Sequence, residues 1–246
     1  LVAPDGSAAI CQRIEEGSVK KCGDAGHLHV LADRHNGHNR HEFCVRPRQL
    51  LKSGLGRNGC RDFAELARRY QGQLTRDRLG TLAQSLGISP RSLQRLRGGW
   101  DGRAYTFPML DASDEVVGIR RRFPEGKKAS VRGSKNGLFI PTDPSNDGPL
   151  LICEGPTDTT AALDLGFDAI GRPNCNSLIE MTVKVVKGRT EIVIVADRDA
   201  VGIAGATRLA NVIALHCPSV KIIQPPDGIK DLRQWRNVGL TSDALQ

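Results

Sequence analysis

Glu191-Ile192-Val193-Ile194-Val195-Ala196-Asp197-Arg198-Asp199-Ala200-Val201-Gly202 is the stretch that decides the fold. An apolar run of β-branched residues with no polar alternation reads as a strand buried on both faces. It breaks on two carboxylates and then enters a helix expected over 202–215. The same grammar recurs on either side. Strands are expected over 149–153, 167–170 and 220–223, and helices over 157–165 and 178–187. Strand followed by helix, repeated, predicts an α/β domain over 149–240, a mainly parallel sheet with flanking helices. Ligands of such sheets bind at the carboxyl ends of the strands.

Acids gather at that edge. Glu154 follows the first strand, in Glu154-Gly155-Pro156-Thr157-Asp158, and Asp197 and Asp199 follow the third. In extended chain, Asp197 and Asp199 share a direction at roughly 7 Å while Arg198 points elsewhere, and a neighbouring strand about 5 Å away would bring in Glu154. Carboxylates so gathered repel one another and drift towards protonation. A divalent cation removes that cost, and all-oxygen ligands select a hard ion, Mg²⁺ or Mn²⁺, held together with substrate phosphates. The bland alternative for any single one of these acids is an N-cap at a helix start.

The preceding half is basic. Residues 1–148 hold 25 Lys/Arg and 16 Asp/Glu, while 149–246 hold 10 and 11, so the net charge of +8 resides entirely in the first part. Helical periodicity covers 60–98, where Phe63, Leu66 and Ala67, then Leu79, Leu82, Ala83 and Leu86, recur at three and four, and Ser89-Pro90 opens a third helix. Short strands are expected over 105–110, 116–122 and 138–140. Among them lie Arg120, Arg121, Arg122, Lys127, Lys128, Arg132 and Lys135, seven cations in 16 residues against one acid, Glu125. Arg120 and Arg122 share one strand face and Arg121 the other. That density favours contact with phosphates over a merely solvated edge strand. The organisation expected is 1–58, a divergent zinc-binding module; 59–99, helical linker; 100–148, basic β-rich subdomain; 149–240, catalytic domain.

Five of the six histidines fall within residues 27–41, bracketed by Cys11, Cys22 and Cys44. Two readings stand: a solvated His/Asn/Arg loop, or a structural zinc drawing on Cys11, Cys22, Cys44 and His27 or His29. Paired Cys-x-x-Cys knuckles are absent. Cys60, Cys153, Cys175 and Cys217 read as small core residues. With 39% apolar and 25% charged residues, the composition is that of a soluble globular protein, and no apolar run approaches the roughly 20 residues of a membrane span. The opening from Leu1 has no signal-peptide pattern, so a cytoplasmic chain, or a fragment of one, is expected.

Glu154-Gly155-x-x-Asp158, Gly171-Arg172-Pro173-Asn174 and Asp197-x-Asp199-x-x-Gly202, in this order at strand ends, resemble the Toprim domain of bacterial- and phage-type DNA primases. Pro226-Asp227-Gly228-Ile229-Lys230-Asp231-Leu232 is similar to the acidic motif that closes that domain. Phe107-Pro108-Met109, Val117-Gly118-Ile119-Arg120 and Gly133-Ser134-x-x-Gly137-Leu138-Phe139 resemble the basic subdomain before it. There is no Gly-x-x-x-x-Gly-Lys-Ser/Thr loop, so no attached helicase is expected.

The resemblance implies metal-dependent synthesis of short RNA primers on single-stranded DNA from ribonucleoside triphosphates, with a replicative helicase encoded separately and no membrane partner. Glu154 would be the acid/base residue near the reacting 3′ hydroxyl, or a ligand. Asp197 and Asp199 would hold Mg²⁺, and Asp158 and Asp231 would support that ion or a second one. The seven cations, with Arg172 and Lys230, would track template or triphosphate. A Toprim nuclease, or a non-catalytic nucleic-acid binder of a phage, plasmid or mobile element, is the alternative. The primase-like segment 105–140 counts against the nuclease, and the intact acids count against the binder.

Overall fold

The computed structural model describes residues 8–11, 16, 18–21, 27–30, 62–145 and 148–242. The chain divides into two compact units, Leu1–Leu51 and Lys52–Gln246. In the first, β1 (Ala8–Cys11), β2 (Lys20–Lys21) and β3 (His27–Val30) form an antiparallel sheet in the order β1-β3-β2. Cys11 and His27 are partners in register across β1 and β3. Cys22, Cys44 and Cys60 lie outside the described residues. No group of three potential metal ligands occurs among the described ones.

The second unit opens with three helices: α1 (Phe63–Gln73), α2 (Arg76–Leu86) and α3 (Pro90–Arg95). Each begins where a short polar side chain accepts a bond from the first turn. Asp62 takes the Glu65 N–H at 2.9 Å, Thr75 that of Arg78 at 3.3 Å, and Ser89 that of Ser92 at 3.1 Å. An antiparallel sheet follows, β4 (Gly99–Trp100), β5 (Tyr105–Leu110), β6 (Val116–Arg122) and β7 (Lys128–Ser130), in sequential order. The apolar stripe of α1, with Phe63, Leu66, Ala67 and Tyr70, packs on Ile119 and Val131.

The remaining elements alternate: β8 (Leu150–Glu154), α4 (Gly155–Asp164), β9 (Asp168–Arg172), α5 (Ile179–Val186), β10 (Glu191–Val195), α6 (Ala200–Ile213), β11 (Ser219–Ile223) and α7 (Leu232–Asn237). The four strands are parallel in the order β11-β10-β8-β9. Their residues divide between two cores. Leu151, Cys153, Val193 and Val195 join a cluster with residues of α2, α3 and α4, while Leu150, Ile152, Ile192 and Ile194 join Val186, Leu209 and Ile213. Both faces are covered, which is why these strands show no alternation in sequence.

Leu138-Phe139-Ile140, expected as a strand, is instead a two-residue splice. Leu138 exchanges backbone bonds with Leu110 of β5 at 2.7 and 2.8 Å, and Phe139 with Gly171 of β9 at 2.8 and 2.9 Å. The basic sheet and the parallel sheet are thus stitched together by main-chain bonds. Helices α4 and α6 start two residues earlier than expected, because Gly155-Pro156 enters α4 directly and Asp199 caps α6. No described helix is long and apolar enough to cross a membrane.

Candidate active site

The parallel register brings the acids together. Glu154, the last residue of β8, is the partner of Arg172 on β9. On its other side Ile152 pairs with Ile194, so Glu154 stands level with Ala196, one residue before Asp197. Gly155 then turns the chain into α4 with φ +81°, a left-handed conformation that side-chain-bearing residues rarely adopt. The turn sets Asp158 in the first turn of α4, where it is buried and accepts the Arg233 backbone N–H at 3.0 Å. A Cβ on Gly171 would lie 2.2 Å from the Thr159 hydroxyl, so the bare strand is what lets α4 lie close over β9.

Asp199 and Asp231 are both N-caps. Asp199 accepts the Gly202 N–H and Asp231 the Gln234 N–H, each at 2.7 Å through Oδ1. The capping alternative is therefore realised at these two positions. Each cap bond engages one oxygen of a carboxylate that has two. Asp231 Oδ2 lies 3.8 Å from Arg233 Nη2.

The acids act on one another. Burial, then the charges of Asp231 and Asp197, push the Asp158 carboxyl up to about 7, although the bond from the Arg233 N–H opposes this. Burial, followed by Glu154, Asp231 and Asp199, raises Asp197 to about 6. Glu154 is raised by burial and by Asp199, while Lys128 and Arg172 pull it down. This all-oxygen set, its repulsion only partly offset by Lys128, Arg172, Lys230 and Arg233, has the donor chemistry of a hard divalent ion. The described acids do not close into a cage of three ligands.

Above the acids stands the basic sheet. Arg120, Arg122, Lys128 and Lys230 line one cleft together with Glu154, Asp158, Asp197 and Asp231. Arg122 is half-buried there. Burial and the neighbouring Arg233 lower its pKa, and Asp158 and Asp231 counteract them. The other expected cations are placed differently. Arg121 faces away, ion-paired with Asp101 at 2.6 Å and stacked over the Phe123 ring. Lys127, Arg132 and Lys135 are exposed outside the cleft lining. Arg172 is 3% exposed and donates twice to the Ser177 carbonyl, so its guanidinium faces inward towards Glu154.

Two participants escaped the sequence reading. Arg233 lines the cleft and holds Asp158, and nothing local in the sequence marks it except its place two residues after Asp231. Cys175, expected in the core, is half-buried on the loop after β9, where it lines a small cavity with Glu154 and Arg172. Cys153 and Cys217 are buried as expected.

No protein-family model and no curated protein sequence matches the chain. Solved structures do. A DnaG primase catalytic domain bound to ssDNA is similar at 16% identity and TM-score 0.58, over 74% of this chain and 77% of that one. A DNA primase domain from Pseudomonas aeruginosa gives 14% identity and TM-score 0.56, over 74% and 75%. The primase fragment of the bacteriophage T7 primase-helicase gives 17% and 0.50, over 65% and 69%. With its four-stranded parallel sheet, flanking helices and spliced antiparallel sheet, the chain carries the Toprim fold of the bacterial primase catalytic core.

Proposed function

We propose that this chain is a metal-dependent nucleotidyltransferase of primase type, making short RNA primers on single-stranded DNA. The observation that carries the reading is the shared cleft. Carboxylates from the ends of β8 and β10 and from the starts of α4 and α7 meet Arg120, Arg122, Lys128 and Lys230 there. Acids alone would suit many metal sites, and cations alone many polyanion surfaces. Together they suit a reaction between phosphate-bearing partners.

In this reading Asp197 and Asp199 would hold Mg²⁺ or Mn²⁺, with Asp158 and Asp231, which line the cleft beside Asp197, supporting that ion or a second one. The ion would neutralise the charge that develops on the incoming nucleotide's phosphates. Glu154, at the strand end between Arg172 and Asp197, takes the proton of the attacking 3′ hydroxyl. Arg120, Arg122, Lys128 and Lys230 orient triphosphate and template, while Lys127, Arg132 and Lys135 extend the positive surface beyond the cleft. A similar primase catalytic domain is bound to ssDNA, and another similar fragment comes from a primase-helicase, which supports a single-stranded template and a helicase partner.

The test is incubation with single-stranded templates, labelled ribonucleotides and Mg²⁺ or Mn²⁺. Oligoribonucleotides dependent on template and metal are expected. Metal-dependent degradation of the template without ribonucleotide incorporation would replace this reading with the nuclease.

A further inference from the structure

We infer that Arg198, between Asp197 and Asp199, is a positioning residue that holds the Asp231 loop against Asp197 and so sets the spacing of these two acids for a divalent ion. The inference rests on the metal-site reading above and concerns a position that the Asp-x-Asp pattern leaves open.

Alternation along an extended chain directs the side chain at 198 away from those at 197 and 199. The structure shows where it goes. Strands β10 and β11 stay paired through the bond from Ala196 N–H to the Ile223 carbonyl, 3.0 Å. Beyond that point the Arg198 N–H donates to the Lys230 carbonyl at 2.9 Å, and its Nη1 donates to the Pro225 carbonyl at 2.7 Å. Its Nη2 pairs with Asp227. Three ties from one residue therefore span the loop 225–230, and the residue after that loop is Asp231.

The geometry matters because the two acids repel. Asp231 is among the charges acting on Asp197, and two loops carrying like charges separate unless something holds them. Backbone carbonyls bound by a guanidinium are fixed in direction as well as distance. The Asp227 pair adds little by itself, since the Asp227 side chain is 93% exposed. The carbonyl bonds at Pro225 and Lys230 are the restraint, and only the first depends on the side chain.

The test is Mn²⁺ binding by the full chain, read from the electron paramagnetic resonance of free Mn²⁺, with amide hydrogen exchange over residues 227–231. Arg198→Ala is expected to weaken Mn²⁺ about tenfold, the low end of what second-layer metal partners contribute, and to speed exchange in the loop. Arg198→Lys, which keeps one donor group, is expected to recover part of the affinity. Asp227→Ala should stay within about twofold of wild type, because the Pro225 bond persists. Should Arg198→Ala fail to fold, the lysine variant decides, and wild-type affinity in it overturns the positioning role. Arg198→Ala with wild-type affinity, beside an Asp197→Ala variant that has lost binding, overturns the role and leaves the metal site standing. Wild-type protein that binds no Mn²⁺, or Asp197→Ala that binds normally, removes the site and Arg198's role together.

Discussion

The Arg233 backbone N–H donates to the Asp158 carboxylate at 3.0 Å, across 75 residues of chain. This bond joins the first turn of α7 to the first turn of α4, placing Asp158 and Asp231 in one cleft. The Arg233 side chain reaches further, to the Leu86 carbonyl at the end of α2. Helices at opposite ends of the unit thereby converge on a buried acid.

That buried acid gives the metal-free protein a particular pH dependence. Asp158 is raised to about 7 and Asp197 to about 6, so the native state keeps protons that the unfolded chain releases near pH 4. Their contribution to stability is fully present below pH 4 and is lost as pH rises towards 7. Metal-free Tm should therefore fall across that window, and Asp158→Asn should raise it by about 5 °C at pH 8. Mg²⁺ should stabilise wild type more at pH 8 than at pH 5.5. Calorimetric melts at both pH values check all three outcomes.

Arg121 and Arg122 are neighbours in sequence with different surroundings, Arg121 paired with Asp101 and Arg122 lining the cleft. Arg122→Ala should weaken single-stranded DNA binding across all sequences and reduce the salt slope by about one, measured by fluorescence anisotropy. Arg121→Ala leaves the buried Asp101 carboxylate, 5% exposed, without its cation. It should cost about 2 kcal/mol in urea unfolding with little change in the salt slope.

Asp164 accepts the Ser89 N–H at 2.7 Å and the Ser89 hydroxyl, and pairs with Arg236 at 3.1 Å, with its side chain only 4% exposed. It thus fastens α3, α4 and α7 together. Asp164→Ala should destabilise the protein by about 3 kcal/mol through the stranded donors. The urea midpoint should shift without a change in slope.

Gly155→Ala forces a side chain into φ +81°, at about 1–2 kcal/mol. Because the turn sets the direction of both Glu154 and Asp158, primer synthesis should fall about a hundredfold, more than such a loss of stability explains. Product yield at a temperature well below the measured Tm separates the two effects.

Much of this arrangement is legible along the chain. Strands β5 and β6 lie where short strands between turns are expected, over 105–110 and 116–122, and the runs at β8 and β10 are too apolar to be anything but covered on both faces. The condition for bringing Glu154 to Asp197, that β8 lie beside β10, is met. The misreadings concern tertiary partners. Leu138-Phe139-Ile140 is apolar enough for a strand, yet Leu138 serves one sheet and Phe139 the other. Arg172 lies in a motif segment and was expected at phosphate, but the Ser177 carbonyl five residues on takes its guanidinium. Cys175 is a small residue with no local sign that its loop turns back to Glu154. Arg198 and Arg233 find partners 27 and 75 residues away, and no local period encodes such separations.

The most direct test compares primer yield from wild type, Glu154→Gln and Asp197→Ala on one single-stranded template with Mg²⁺ and labelled ribonucleotides, after melting curves confirm that all three are folded. Wild type should give short, template-dependent oligoribonucleotides, and each variant should lose at least about a hundredfold in yield. Variants that prime at the wild-type level would contradict the assignment of the site.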